Sequence, residues 1–136
     1  MKKKFCLWLI VLLFIPGIVL AETVTFEWTQ PNLTYVKHWQ IHWSDTENGA
    51  YESIAVVAYN GTPSATYSSE ETIEVTGSPA TSVTKWFLAR ACGDVPVEGG
   101  ATEYQCSGDS NKVNKSFWIP AGQFSVPLEF KIIPNP

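Results

Sequence analysis

The feature of this sequence that most constrains its fold is an alternation of apolar and polar residues with a period of two. The two clearest runs are "VTFEW" (24–28) and "WQIHW" (39–43). Successive side chains of a β-strand point to opposite faces of the sheet, so each run predicts a strand with one buried face. The apolar members of the two runs are the predicted core residues: Val24, Phe26, Trp28, Trp39, Ile41 and Trp43.

Further strands are predicted at 51–59, 71–75, 85–92 and 110–113, separated by turn sequences rich in Gly, Pro and Asn. The run "KWFLARAC" (85–92) is more continuously apolar, as in a strand with both faces covered, and we place Trp86 in the core. No stretch shows a helical period over ten residues. The pattern therefore predicts an all-β fold, an antiparallel immunoglobulin-like β-sandwich of about seven strands.

Residues 22–115 resemble a fibronectin type III domain. The runs "VTFEW" and "WQIHWS" are similar to the second and third strands of that family. The stretch "TIEVTGSPATSVTKWFLARAC" resembles its passage from a Thr-rich strand through a Gly/Pro corner into a strand ending in Arg-Ala, with Trp86 where the family has a tyrosine. The run "SGDSNKV" resembles the closing strand. The resemblance implies a sandwich that binds other molecules and holds no cofactor.

The N-terminus is typical of a secretory signal peptide. Lys2, Lys3 and Lys4 precede an apolar run from Phe5 to Leu20, and Ala21 offers a small residue for cleavage. We therefore expect residues 1–21 to be removed and the protein to be secreted or periplasmic, with membrane contact only if the segment stays uncleaved. Without it the chain carries 6 basic and 13 acidic residues. An acidic domain with no basic cluster is not expected to bind nucleic acid.

Cys92 and Cys106 are the two cysteines that follow the signal segment. They lack the Cys-x-x-Cys spacing of redox or zinc motifs, and a secreted chain with two cysteines most simply forms one disulfide. In the predicted topology they lie at the two ends of the connection between the sixth and seventh strands. A disulfide there would hold a long loop as a candidate binding surface, with the alternative that the loop binds nothing. The loop residues we single out are Asp94, Glu98, Glu103 and Tyr104.

Other chemistries have weaker support in the sequence. His38 and His42 lie about 13 Å apart on a strand, too far to share a metal ion, and we read both as facing solvent. Asp94, Glu98, Glu103 and Asp109 lack the regular spacing of a Ca²⁺ loop. Glu70, Glu71 and Glu74 read as a solvated face rather than glycosidase carboxylates, and no Gly-x-Ser-x-Gly motif occurs. Sequons at Asn32, Asn60 and Asn114 could carry glycans in a eukaryotic secretory route. They have no expected role in a bacterial one, which the lysine-led signal favours.

Residues 116–136 form an apolar, proline-punctuated extension, of which 124–133 are expected to pair as a strand along an edge of the sandwich. Together these features predict a non-enzymatic secreted or periplasmic module for protein–protein or cell-surface contact. The first alternative is a carbohydrate-binding module that uses Tyr35, Tyr67 or Tyr104 as stacking platforms. The second is a small secreted hydrolase.

Overall fold

The structure, a computed structural model, describes residues 18–121, and these residues form seven β-strands. The strands are β1 (Ile18–Trp28), β2 (His38–Ser44), β3 (Glu52–Ala58), β4 (Tyr67–Gly77), β5 (Thr81–Pro96), β6 (Thr102–Cys106) and β7 (Val113–Ile119). Within this range no helix is long and apolar enough to cross a membrane. The predicted all-β class is confirmed.

The strands form two antiparallel sheets. One sheet contains β1 and β4, and the other runs β3-β2-β5-β6, with β7 also paired to β5. The rings of Phe26 on β1 and Phe87 on β5 meet across the sheets with centroids 5.1 Å apart. At one end Trp28 contacts Trp39 edge-on at 5.4 Å. The predicted antiparallel sandwich is therefore present.

The core lies between the two sheets and is centred on five buried side chains: Ile73, Val75, Phe87, Phe117 and Ile119. The apolar residues of the alternating runs 24–28 and 39–43 border this core, as predicted. Trp39 and Ile41 are fully buried, and Val24, Phe26 and Trp43 pack half-buried against the central cluster. Trp28 is half-buried through its contacts with Trp39 and Tyr67.

Trp86 does not occupy the core position that we predicted for it. It is half-buried on the face of β5 shared with its cross-strand partners Ser44 and Asn114, whereas Phe87 points inward and is 2% exposed. The run is apolar at both phases, so its composition does not distinguish the inward face from the outward one.

The predicted last strand at 110–113 was wrong, because only Val113 of that run lies in a strand, and the last strand is divided into β6 and β7. β6 pairs with the second half of β5, and β7 pairs with the first half. Between them the amides of Ser107 and Ser110 donate to the carbonyls of Ala91 (2.8 Å) and Ala89 (3.0 Å). The two serine hydroxyls accept in return from the Ala91 amide (3.0 Å) and the Ala89 amide (2.9 Å). Serine side chains thus continue the ladder through a bulge.

Both expected domain boundaries fall within strands. β1 begins at Ile18, and Ile18 to Ala21 pair with Gly77 to Glu74 of β4, although these four residues belong to the segment expected to be cleaved. β7 runs through the expected boundary between residues 115 and 116. The apolar segment 124–133 lies outside the described residues, so its predicted pairing stays a prediction, as does cleavage after Ala21.

Candidate binding surface at the stapled hairpin

The stretch predicted as a long loop between the two cysteines is a β-hairpin. β5 extends to Pro96, and β6 returns from Thr102 after a turn closed by a hydrogen bond from the Val97 amide to the Ala101 carbonyl (2.9 Å). Gly99 and Gly100 have φ of 95° and 83°, values that suit glycine. Backbone pairing therefore orders the segment in addition to the disulfide.

The predicted disulfide between Cys92 and Cys106 is present at the base of this hairpin. The two residues are direct cross-strand partners with Cα atoms 4.1 Å apart. Cys92 is 1% exposed, so the bond lies where the hairpin joins the body of the sandwich. The staple fixes the direction in which the hairpin leaves the sheet.

The segment that precedes β2, residues 35–37, contacts the β5 strand of the hairpin. The amide of Lys37 donates to the Cys92 carbonyl (2.9 Å), and the Lys37 ammonium pairs with the Asp94 carboxylate. A Cβ atom at Gly93 would overlap the Tyr35 carbonyl oxygen. Only glycine leaves room for this approach of two backbones.

Tyr104 is the centre of a polar cluster on the outer face of the five-stranded sheet. Its side chain is 54% exposed, yet its hydroxyl is held at 3.0 Å by both the His38 Nε2 and the Gln40 Nε2. The His38 ring lies nearly parallel to the tyrosine ring, 18° between planes, with centroids 5.8 Å apart. The arrangement presents an oriented aromatic ring bordered by hydrogen-bonding groups.

The four loop residues that we singled out are not all brought together. Asp94 is the cross-strand partner of Tyr104 and shares its face. Glu103 follows the opposite phase of β6 and accepts from the Gln105 side chain (3.2 Å), and Glu98 lies in the turn. Asp109, considered with them as a Ca²⁺ ligand, pairs instead with the Arg90 Nε (2.6 Å).

His42 is a buried polar residue whose exposure we predicted wrongly. We read it as facing solvent, but it is 6% exposed, and its Nε2 meets the Gln40 Oε1 at 3.2 Å. Its Nδ1 is buried and has no hydrogen-bond partner among the described residues. Burial lowers the pKa of His42, the Arg90 cation lowers it further, and Asp109 opposes both. Residues distant in sequence create this environment, so the local alternation of β2 could not reveal it.

The residues of the alternative functions are dispersed. Tyr67 packs against Trp39 with ring centroids 4.5 Å apart and is not an open platform, whereas Tyr35 is 53% exposed near the hairpin base. On β4, Glu71 accepts from the Ser69 hydroxyl (2.5 Å) and lies on the opposite phase from Glu70 and Glu74. Within residues 18–121 no group of three or more His, Cys, Asp or Glu side chains could hold a metal ion.

The comparisons with known proteins provide no relative. No family model matches the sequence, and neither a curated protein nor a solved structure matches it significantly. The hairpin and its polar cluster are therefore interpreted from their own geometry.

Proposed function

We propose that this chain is a non-enzymatic, secreted or periplasmic module that contacts a protein or cell-surface partner through the outer face of the β5–β6 hairpin. The observation that carries the proposal is Tyr104, an exposed ring fixed by His38 and Gln40 on a disulfide-stapled hairpin. Tyrosine supplies large contact area at low entropic cost. A ring that is already oriented loses little further freedom on binding.

We propose further that the sandwich is a fibronectin type III-like variant. Its pairings of β1 with β4 and of β2 with β5 correspond to the B–E and C–F pairings of immunoglobulin-like sandwiches. The divided last strand occupies the position that follows F in that order. Export is supported by the disulfide, which persists in oxidising compartments.

The test compares three forms of the full chain as bait in native envelope extract, with bound proteins identified by mass spectrometry. The forms are the unaltered chain, Tyr104→Ala and Trp118→Ala; Trp118 is a matched control because it is also exposed (61%) but lies on β7. We expect Tyr104→Ala to lose partners that the other two forms retain. Equal capture by all three would contradict the proposal, and turnover in a screen of hydrolase substrates would contradict its non-enzymatic part.

Carbohydrate binding is the second candidate, because an exposed tyrosine beside hydrogen-bonding His and Gln side chains suits a sugar ring. In that case the hydrophobic face of the sugar would stack on the Tyr104 ring. The hydroxyl groups of the sugar would form hydrogen bonds with polar neighbours such as His38. Affinity electrophoresis in gels containing cell-wall polysaccharides discriminates the two. Retardation that Tyr104→Ala abolishes and Trp118→Ala preserves would favour the sugar over a protein partner.

A further inference from the structure

The sandwich has an open side where the free edges of β1 and β7 face each other. Among the described residues β1 pairs with β4 alone and β7 with β5 alone, so each has a second edge without a strand. The two edges are bridged midway by an ion pair between Lys115 Nζ and Glu22 Oε1 (2.8 Å). Toward the end of β1 at Trp28 and the start of β7 at Val113, the two edges border a groove.

This groove has a volume of about 360 Å³ and is largely apolar. Phe26 and Trp28 of β1 form one wall, Val113 and the bulge before it form the other, and Ile41 and Phe87 line its depth. Val113 is 48% exposed, although its side chain lies on the inward phase of β7. The Trp28 Nε1 is buried and has no acceptor within the described range. An occupant with apolar side chains would cover the exposed apolar surface of this groove.

The chain itself contains a segment of matching pattern and length. Fifteen residues follow Ala121, and within them apolar side chains occur at every second position: Phe124, Val126, Leu128, Phe130 and Ile132. A return of the chain after residues 120–123 would place Phe124 opposite Ile119. Six residues later Phe130 would lie opposite Val113, because both strands advance by roughly 3.3 Å per residue.

This register pairs inward apolar side chains of β7 with apolar partners except at Lys115. The inward residues of β7 are Lys115, Phe117 and Ile119, and their partners would be Leu128, Val126 and Phe124. The odd-numbered residues of β5, such as Ala89 and Ala91, bond toward the last strand, so Ile119 bonds to β5 and Ser116 presents its backbone to the free edge. Pro127 would lie opposite Ser116 and has no N–H for that position, so the pairing would lack one ladder hydrogen bond there. Glu129 would face solvent opposite Asn114.

We propose that residues 124–130 form an antiparallel partner of β7 and that their inward side chains close the groove between β1 and the 110–113 segment, with Phe130 seated beside Val113 and Trp28. The occupant is thus this chain's own C-terminal segment. The proposal is independent of the binding function assigned to the hairpin, because Tyr104 belongs to the outer face of the sheet.

The register is tested by cross-linking in the full chain with Cys6→Ser. Asn114→Cys combined with Glu129→Cys creates a directly opposed cross-strand pair, whose Cα separation of about 5.5 Å permits a disulfide. Asn114→Cys combined with Leu128→Cys is the matched control, since position 128 would face the opposite side. We expect an intramolecular link in the first variant only, read by peptide mapping of the monomer. No link, a link in the control as well, or a link between two copies would overturn the proposal.

Hydrogen exchange provides a readout that needs no introduced cysteine. In the unaltered monomer the amides of residues 124–130 are expected to exchange more slowly than in the same segment as a free peptide, and Phe130→Ser is expected to remove that protection. Glu129→Gln, which changes a solvent-facing position, should leave it intact. Exchange of the segment at the free-peptide rate would overturn the proposal even if every variant folds.

Discussion

Gly93 is the position at which the backbone of the segment before β2 comes closest to β5. An added methyl group would overlap the Tyr35 carbonyl, and backbone atoms cannot move aside as a flexible side chain can. We expect Gly93→Ala to lower the free energy of unfolding by about 1–3 kcal/mol, the usual cost of overpacking. Gly108→Ala is the control, since a Cβ there meets no atom within 4 Å. Equal denaturant midpoints for the two variants would contradict this packing.

His42 should make stability depend on pH. Burial, with Arg90 second, lowers its folded-state pKa below the ordinary value of about 6.5, while the nearby Asp109 only partly opposes the shift. The unfolded state then binds the proton more readily, so stability is complete above about pH 6.5 and declines as pH falls toward the folded pKa. Denaturant unfolding between about pH 7.5 and about pH 5.5, where carboxylates do not titrate, should show this decline.

The variant His42→Gln is the control for that decline, because glutamine cannot take up a proton in this range. It is expected to be less sensitive to pH than the unaltered chain. If both chains lose the same stability over the interval, His42 is not the source.

At the residue scale, the sequence was informative where one face of a strand is covered and the other is not. Trp39 and Ile41 were predicted correctly because their polar neighbours mark the phase of β2. The core prediction for Trp86 was wrong because Phe87 beside it is equally apolar. Only the facing sheet decides which of the two side chains is in the core, and it contacts Phe87. His42 was wrong because its burial depends on groups such as Arg90 and Asp109, which the fold brings close from other parts of the chain.

At the scale of elements, the first four residues of β1 contribute to the sandwich. Ile18 and Leu20 pack against the central cluster, and each fully buried side chain of this size contributes about 1.5–3 kcal/mol, an upper limit for these half-buried ones. We expect a chain that begins at Glu22 to unfold at lower denaturant concentration than one that begins at Ile18. Val19→Ser in the longer chain is the control, since Val19 is exposed. Equal denaturant midpoints for the two chains would show that residues 18–21 do not stabilise the sandwich.

The disulfide joins two cysteines that are 14 positions apart in sequence. Closing a loop of this size is worth about 3 kcal/mol in the chain-entropy model. We expect the double variant Cys92→Ala, Cys106→Ala to have a lower melting temperature than the oxidised chain. The intact mass of the oxidised chain should be two hydrogens lighter than its mass after reduction. Alkylation of both cysteines in native, oxidised protein would contradict the pairing.

The hairpin and the divided last strand show what local sequence could not convey about elements. The segment 93–105 contains Gly, Pro and acidic residues typical of a loop, yet β5 and β6 pair along it because the staple and the Lys37 contacts align them. The serines at 107 and 110 look like further loop residues, but their hydroxyls substitute for backbone acceptors. Both features depend on partners across the sheet.

At the scale of the whole molecule, an aromatic cluster joins the two sheets at one end. Trp39 on β2 contacts Trp28 of the facing sheet, Tyr67 of β4 and Tyr59. We expect Trp39→Ala to cost about 3–5 kcal/mol, as for a buried large aromatic. Trp118→Ala should change stability by no more than about 0.5 kcal/mol because its ring is exposed. Similar thermal midpoints for the two variants would contradict this role of Trp39.

The overall architecture was predictable because it follows from strand count, alternation and turn placement, which are all local. Which edges remain free was not predictable, since this depends on the pairing of β1 with β4 alone across the described residues. The position of the polar cluster around Tyr104 also required the sheet order, because β2 and β6 contribute to it from opposite sides of β5.

The contact between Trp28 and Trp39 also has an optical consequence. Two indole rings with centroids 5.4 Å apart and planes inclined at 62° are close enough for their excited states to couple. Such coupling splits the far-ultraviolet circular dichroism of the pair into bands of opposite sign. Because one indole belongs to each sheet, the couplet exists only while the sheets are in contact. The protein thus carries an intrinsic spectroscopic reporter that separates loss of sheet packing from loss of strands.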